Sequence, residues 1–91
     1  MVSARWTYLS EEFVTAIEQA ILSDTPITRV FEHYGIDRGT YYAWLAIGEG
    51  RMTSWRDGSP ISKEMQLNCR RLSQRVLRAR EARLRARRQA L

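Results

Sequence analysis

From Lys63 to Leu91 the chain contains no glycine and no proline. The stretch is rich in Arg, Ala, Leu and Gln, side chains that lose little on entering a helix. Its 29 residues predict one continuous helix, about 43 Å long at full extent. A 91-residue chain makes one small domain with a thin core, so only part of such a helix can be covered. Met65, Cys69, Leu72 and Val76 recur four and three residues apart, which is a coiled-coil-like seam. Beyond Val76 the seam continues as Ala79, Arg83 and Ala86 and fades, while Leu77, Leu84 and Leu91 form a thin second stripe. The first half is therefore expected to pack, and the second half to protrude or pair with another copy.

Charge is distributed as unevenly as glycine. Residues 1–69 carry six basic and nine acidic side chains, a net −3, and residues 70–91 carry nine arginines against Glu81 alone, a net +8. The total is +5, and every cation but Lys63 is arginine. The planar guanidinium suits phosphate bidentately. Nine cations on one helix repel one another unless an anion faces them. A polyanion is the first expectation and an acidic protein surface the second.

Several classes are excluded. The longest apolar run is seven residues, Tyr41 to Ile47, too short to cross a bilayer, so no membrane partner is expected. The start, Met1 to Trp6, lacks the apolar stretch of a signal peptide, and a cytoplasmic location is the default. One cysteine, Cys69, and one histidine, His33, cannot build a zinc site or an internal disulfide. The glycines at 48, 50 and 58 lack the Gly-Lys-Ser/Thr pattern that cradles phosphate, and no nucleophile–base pair is readable. No enzyme activity and no cofactor are expected.

The first half of the chain reads as short helices. Ser10 caps a helix over about residues 11–23, with Glu11 and Glu12 at its positive end and Phe13, Ile17 and Ile21 as its apolar stripe. Thr25-Pro26 opens a second helix carrying Val30, Phe31 and Tyr34, and Gly35 ends it. Asp37 caps a third, through Tyr41, Trp44 and Leu45 toward Ile47, before Gly48. Gly48 to Ser62 reads as a loop anchored by Trp55, and Ser62 caps the long helix. The fold class predicted is all-α: a three-helix helix-turn-helix domain over residues 1–50, a loop over 51–62, and a long arginine-rich helix over 63–91.

Helix, glycine turn, helix is helix-turn-helix spacing. With Ile27 as position one, Val30, Tyr34, Ile36, Tyr41 and Trp44 fill the positions that two steeply crossed helices must bury, and Gly35 is position nine. Position five, where such helices approach most closely and a small residue is usual, holds Phe31.

The run Pro26-Ile27-Thr28-Arg29-Val30, then Gly35-Ile36-Asp37-Arg38-Gly39-Thr40-Tyr41-Tyr42-Ala43-Trp44-Leu45, then Gly48-Glu49-Gly50, resembles the N-terminal DNA-binding domain of phage terminase small subunits and related phage helix-turn-helix proteins. In that family a Gly-Ile-Ser/Asp-Arg-x-Thr-Tyr/Phe-Tyr-x-Trp-Leu core precedes a glycine-containing loop and an alanine-rich amphipathic helix. The resemblance covers about residues 12–85 and is most specific from Gly35 to Leu45. It implies recognition of phage DNA before packaging in the bacterial host cell, by an oligomer that hands DNA to a large terminase ATPase subunit. The residue before the tryptophan is often basic in such proteins, and here it is Ala43.

On this reading the third helix enters the major groove of double-stranded DNA. Arg38, Thr40, Tyr42 and Ala43 face the bases, with Arg38 placed for guanine O6 and N7 and Gly39 allowing close approach. Residues 26–46 are electrically neutral, with Arg29 and Arg38 against Glu32 and Asp37. Phosphate affinity must then come from elsewhere; the candidates are Arg29, Arg51, Arg56, Arg70, Arg71, Arg75 and Arg78. Tyr41, Trp44, Met65 and Cys69 read as core and His33 as surface. A homo-oligomer through the 63–91 helix is expected. The competing readings are a small phage transcription or excision regulator, and a protein whose basic helix docks on an acidic host or phage protein.

Overall fold

The computed structural model describes residues 9–90. Four helices follow one another: α1 Glu11–Leu22, α2 Thr28–Tyr34, α3 Arg38–Gly48 and α4 Lys63–Ala90, with no strand among the described residues. Trp6, Tyr8 and Leu91 lie outside the described residues.

Local chemistry sets each boundary. Ser10 Oγ accepts from the Phe13 N–H at 3.1 Å and starts α1. Asp24, in the left-handed region at φ 59°, turns the chain away after Ser23. Pro26 lies two residues ahead of α2 rather than inside it; the Arg29 N–H donates to its carbonyl in a turn that leads into the helix. Gly35, at φ 66°, closes α2 in a conformation that costs a glycine little. Asp37 Oδ1 accepts from the Thr40 N–H at 2.6 Å and opens α3. Ser62 Oγ accepts from the Met65 N–H, and the Gln66 side chain donates back to the Ile61 carbonyl, fixing the start of α4.

One core joins all four helices. Phe13, Val14 and Ile17 of α1, Phe31 of α2, Tyr41, Trp44 and Leu45 of α3 and Met65, Cys69, Leu72, Val76 and Ala79 of α4 are buried together. Phe13 meets Trp44 and Tyr34 edge-on, each at a centroid distance of 5.6 Å. Phe31, the large residue at position five, is itself buried, its ring 4.9 Å from that of Tyr41. Trp55 and Met52 pack the 49–62 connection against this core, and a single bridge pairs Ser54 with Pro60.

The direction of α1 against α4 follows from their ion pairs. Glu11 faces Arg71 and Arg75, Glu18 faces Arg75, and Asp24 faces Arg83. Numbers rise together, so α1 and α4 run parallel. The last buried position on α4 is Ala79; from Leu84 to Gln89 every side chain is exposed. The first half of α4 packs, as expected, and the second half projects, drawing the molecule out to 49 × 26 × 18 Å.

Gly48 is the last residue of α3, not the start of a loop. An added Cβ there would overlap the Cys69 carbonyl and the Ser73 hydroxyl, so α3 rests backbone to backbone on α4.

Candidate nucleic-acid interface

The Asp37 cap opens α3, and the rotation of that helix decides which side chains reach solvent. Its buried arc holds Thr40, Tyr41, Trp44, Leu45 and Ile47. Arg38, Gly39 and Tyr42 are exposed, and Ala43 and Ala46 are half-buried. Tyr42 is the one large hydrophobic side chain of α3 that stays half in solvent, at 50% exposure.

Thr40 departs from expectation. Its place in the sequence suggests the base-facing side, yet it is 2% exposed. It lies four residues before Trp44 on the same helical stripe, so the rotation that buries Trp44 also buries Thr40. A base contact from its side chain is therefore ruled out. Arg38, Gly39, Tyr42 and the rim of Ala43 remain.

Tyr41 and Trp44 are core residues, both at 0% exposure. Burial pushes the Tyr41 phenol up to about 12. Its hydroxyl and the Trp44 indole nitrogen are buried without a hydrogen-bond partner among the described residues. Burial likewise raises the Cys69 thiol to about 12, so it stays protonated beside Met65, with Sγ 3.6 Å from Sδ.

The seven phosphate candidates separate by what already holds them. Arg75 is clamped: its Nη2 donates to Glu18 at 3.0 Å and to Thr15 Oγ1 at 3.3 Å, its Nε to the Glu18 carboxylate at 3.2 Å, and its Nη1 to Glu11. The hydrogen bond from Arg75 holds the Glu18 carboxyl below the usual carboxylate range. Those two carboxylates raise the already high basicity of the guanidinium. Arg75 is structural, and its donors are not open to phosphate. Arg71 lies 3.7 Å from Glu11 and Arg51 3.0 Å from Glu49, both at the surface, where such pairs exchange readily for another anion. Arg29, Arg56, Arg70 and Arg78 are exposed and make no ion pair among the described residues.

Four further cations, Arg80, Arg85, Arg87 and Arg88, are exposed on α4, the last three along its projecting end. Nothing in the sequence sets them apart from the other arginines, although the seam fades beyond Val76, one turn before the last buried position at Ala79. Arg83, between them, is tied to Asp24.

Beside α3 an open groove of about 1220 Å³ separates its exposed face from the 52–62 connection and the first turns of α4. Asp37, Gly39, Thr40, Tyr42 and Ala43 line it from the α3 side, and Trp55, Arg56 and Asp57 from the connection. Among the described residues no cluster of His, Cys, Asp and Glu can hold a metal ion, and no helix is long and apolar enough to cross a membrane. Comparison with protein-family models, curated proteins and solved structures returns no match.

Proposed function

We propose that the protein binds double-stranded DNA, with α3 reading the major groove and the exposed arginines of α4 holding phosphates. The observation that carries this reading is the exposure of Arg38, Gly39 and Tyr42 on a helix whose other side is locked into the core behind a left-handed glycine turn. Small residues at 39 and 43 let the helix axis approach base edges, and Arg38 supplies the forked donor that guanine accepts. The recognition helix is neutral in its surroundings, so the affinity is electrostatic and borrowed. Arg70, Arg78, Arg80, Arg85, Arg87 and Arg88 supply it. A role in phage DNA packaging, with a large terminase ATPase as partner, rests on the resemblance of residues 35–45 and belongs to the same proposal.

A salt titration on duplex DNA tests it. With four of these arginines on phosphates, log affinity falls against log salt with a slope of about −3.6. Arg38→Ala lowers discrimination between a preferred and a random duplex by about 1–3 kcal/mol. A flat salt response removes the DNA reading, and equal losses on both duplexes remove the role of Arg38.

A further inference from the structure

The two ends of α4 present surfaces of different chemistry. At its start, Asp57 and Glu64 are exposed on the lining of the groove beside α3, together with the half-exposed ring of Tyr42. At its far end, Arg85, Arg87 and Arg88 are exposed around Leu84, which is itself 52% exposed. We propose that the projecting end of α4 from one copy docks into the α3 groove of the next, giving head-to-tail self-association.

The groove and the helix end match in chemistry. The groove lining holds three carboxylates, Asp37, Asp57 and Glu64, against the one cation Arg56, so incoming arginines can neutralise Asp57 and Glu64 and stack on the Tyr42 ring, while Leu84 meets the apolar lining residues Met52 and Met65. The occupant must come from another molecule. Glu64 and Arg88 lie 24 residues apart on one helix, about 36 Å. A continuous helix cannot bend its own end back into a groove at its start. The two surfaces differ, so each copy in an assembly leaves a groove at one end and a basic helix at the other, and the contact propagates into rings or chains. Because Gly39, Tyr42 and Ala43 line the same groove, a docked helix end and a duplex exclude each other; that consequence alone rests on the DNA reading.

Light scattering on the full chain without DNA tests the docking. Weight-average mass should rise about two-fold or more when salt is lowered from about 500 mM to about 50 mM, and fall again when salt is restored. Asp57→Lys/Glu64→Lys and Arg85→Glu/Arg88→Glu should each remain monomeric at low salt with unchanged helical circular dichroism. An equimolar mixture of the two should regain the mass, because each reversed surface then meets a complementary one. Glu64→Gln, which only neutralises, should associate to an intermediate extent and covers the case of a charge-reversed groove that does not fold. A monomer at every salt concentration overturns the proposal. So does association that survives both reversals, or association that appears only after residues 2–8 are deleted, which would give the groove to the chain's own N-terminal segment. If duplex DNA fails to bind while the salt-dependent mass persists, the DNA reading falls and the docking stands.

Discussion

Tyr41 and Tyr42 are adjacent in sequence and opposite in fate. Tyr41 is sealed against Phe31 of α2 with its hydroxyl unpartnered among the described residues, and Tyr42 stands half in solvent on the groove wall. A buried hydroxyl without a hydrogen bond costs stability that a phenyl ring does not. Tyr41→Phe should therefore leave the protein as stable or raise unfolding free energy by up to about 1 kcal/mol, with duplex affinity unchanged. Urea melts and a DNA titration of the same variant check both. A large loss of affinity would show that Tyr41 is not merely core. The core roles of Tyr41, Trp44, Met65 and Cys69 are legible from spacing alone, because helical periodicity assigns each residue to a side. Thr40 is not: a small polar residue at the margin of an apolar arc has no compositional sign of burial, and the rotation of α3 on the core decides it. Arg75 is equally silent, since nothing in the run Arg70–Arg88 distinguishes the arginine that meets Glu18 from those that meet water.

At the scale of helices, two contacts organise the molecule. The first is the close approach of α3 to α4 at Gly48. Glycine there reads in sequence as a helix end, and only the packing of a second helix shows that it is needed for lack of a side chain. A methyl group would push against the Cys69 carbonyl, which cannot move without disturbing α4. Gly48→Ala should lower unfolding free energy by about 1–2 kcal/mol, the overlap outweighing the gain from a better helix former. An increase in thermal midpoint would show that the two helices separate easily. The second contact is the acidic edge of α1 against the basic edge of α4. Arg75 holds the Glu18 carboxyl low, so that carboxyl stabilises the folded chain at all pH values above the ordinary carboxylate range. The contribution is lost as pH falls through the lowered value. Melting temperature should drop on acidification from about pH 6 to about pH 3, and Glu18→Gln should flatten that limb while lowering stability at neutral pH. An identical acid limb in the variant would show that other carboxylates carry the transition.

At the scale of the whole molecule, α4 serves two purposes along one length. Up to Arg83 it closes the core and answers the carboxylates of α1; beyond that it carries charge away from the body. A chain ending after Arg83 should keep its thermal midpoint within a few degrees, since no buried side chain among the described residues is lost. Its duplex affinity should weaken at low salt and its salt slope shrink by up to about 2.7, one part for each of Arg85, Arg87 and Arg88 that touches phosphate. Collapse of the fold in that variant would place structural weight on the projecting end. The all-α class, the caps at Ser10, Asp37 and Ser62, the turn at Gly35 and the length of the final helix are legible in the residue order alone, because each depends on neighbours within a few residues. Only the packing of the helices shows which arginines are paired with carboxylates of the same chain and which stay open to solvent. Charge pairing between α1 and α4 joins residues about sixty positions apart, and such a pairing is set by how two helices lie against each other, which no local pattern records.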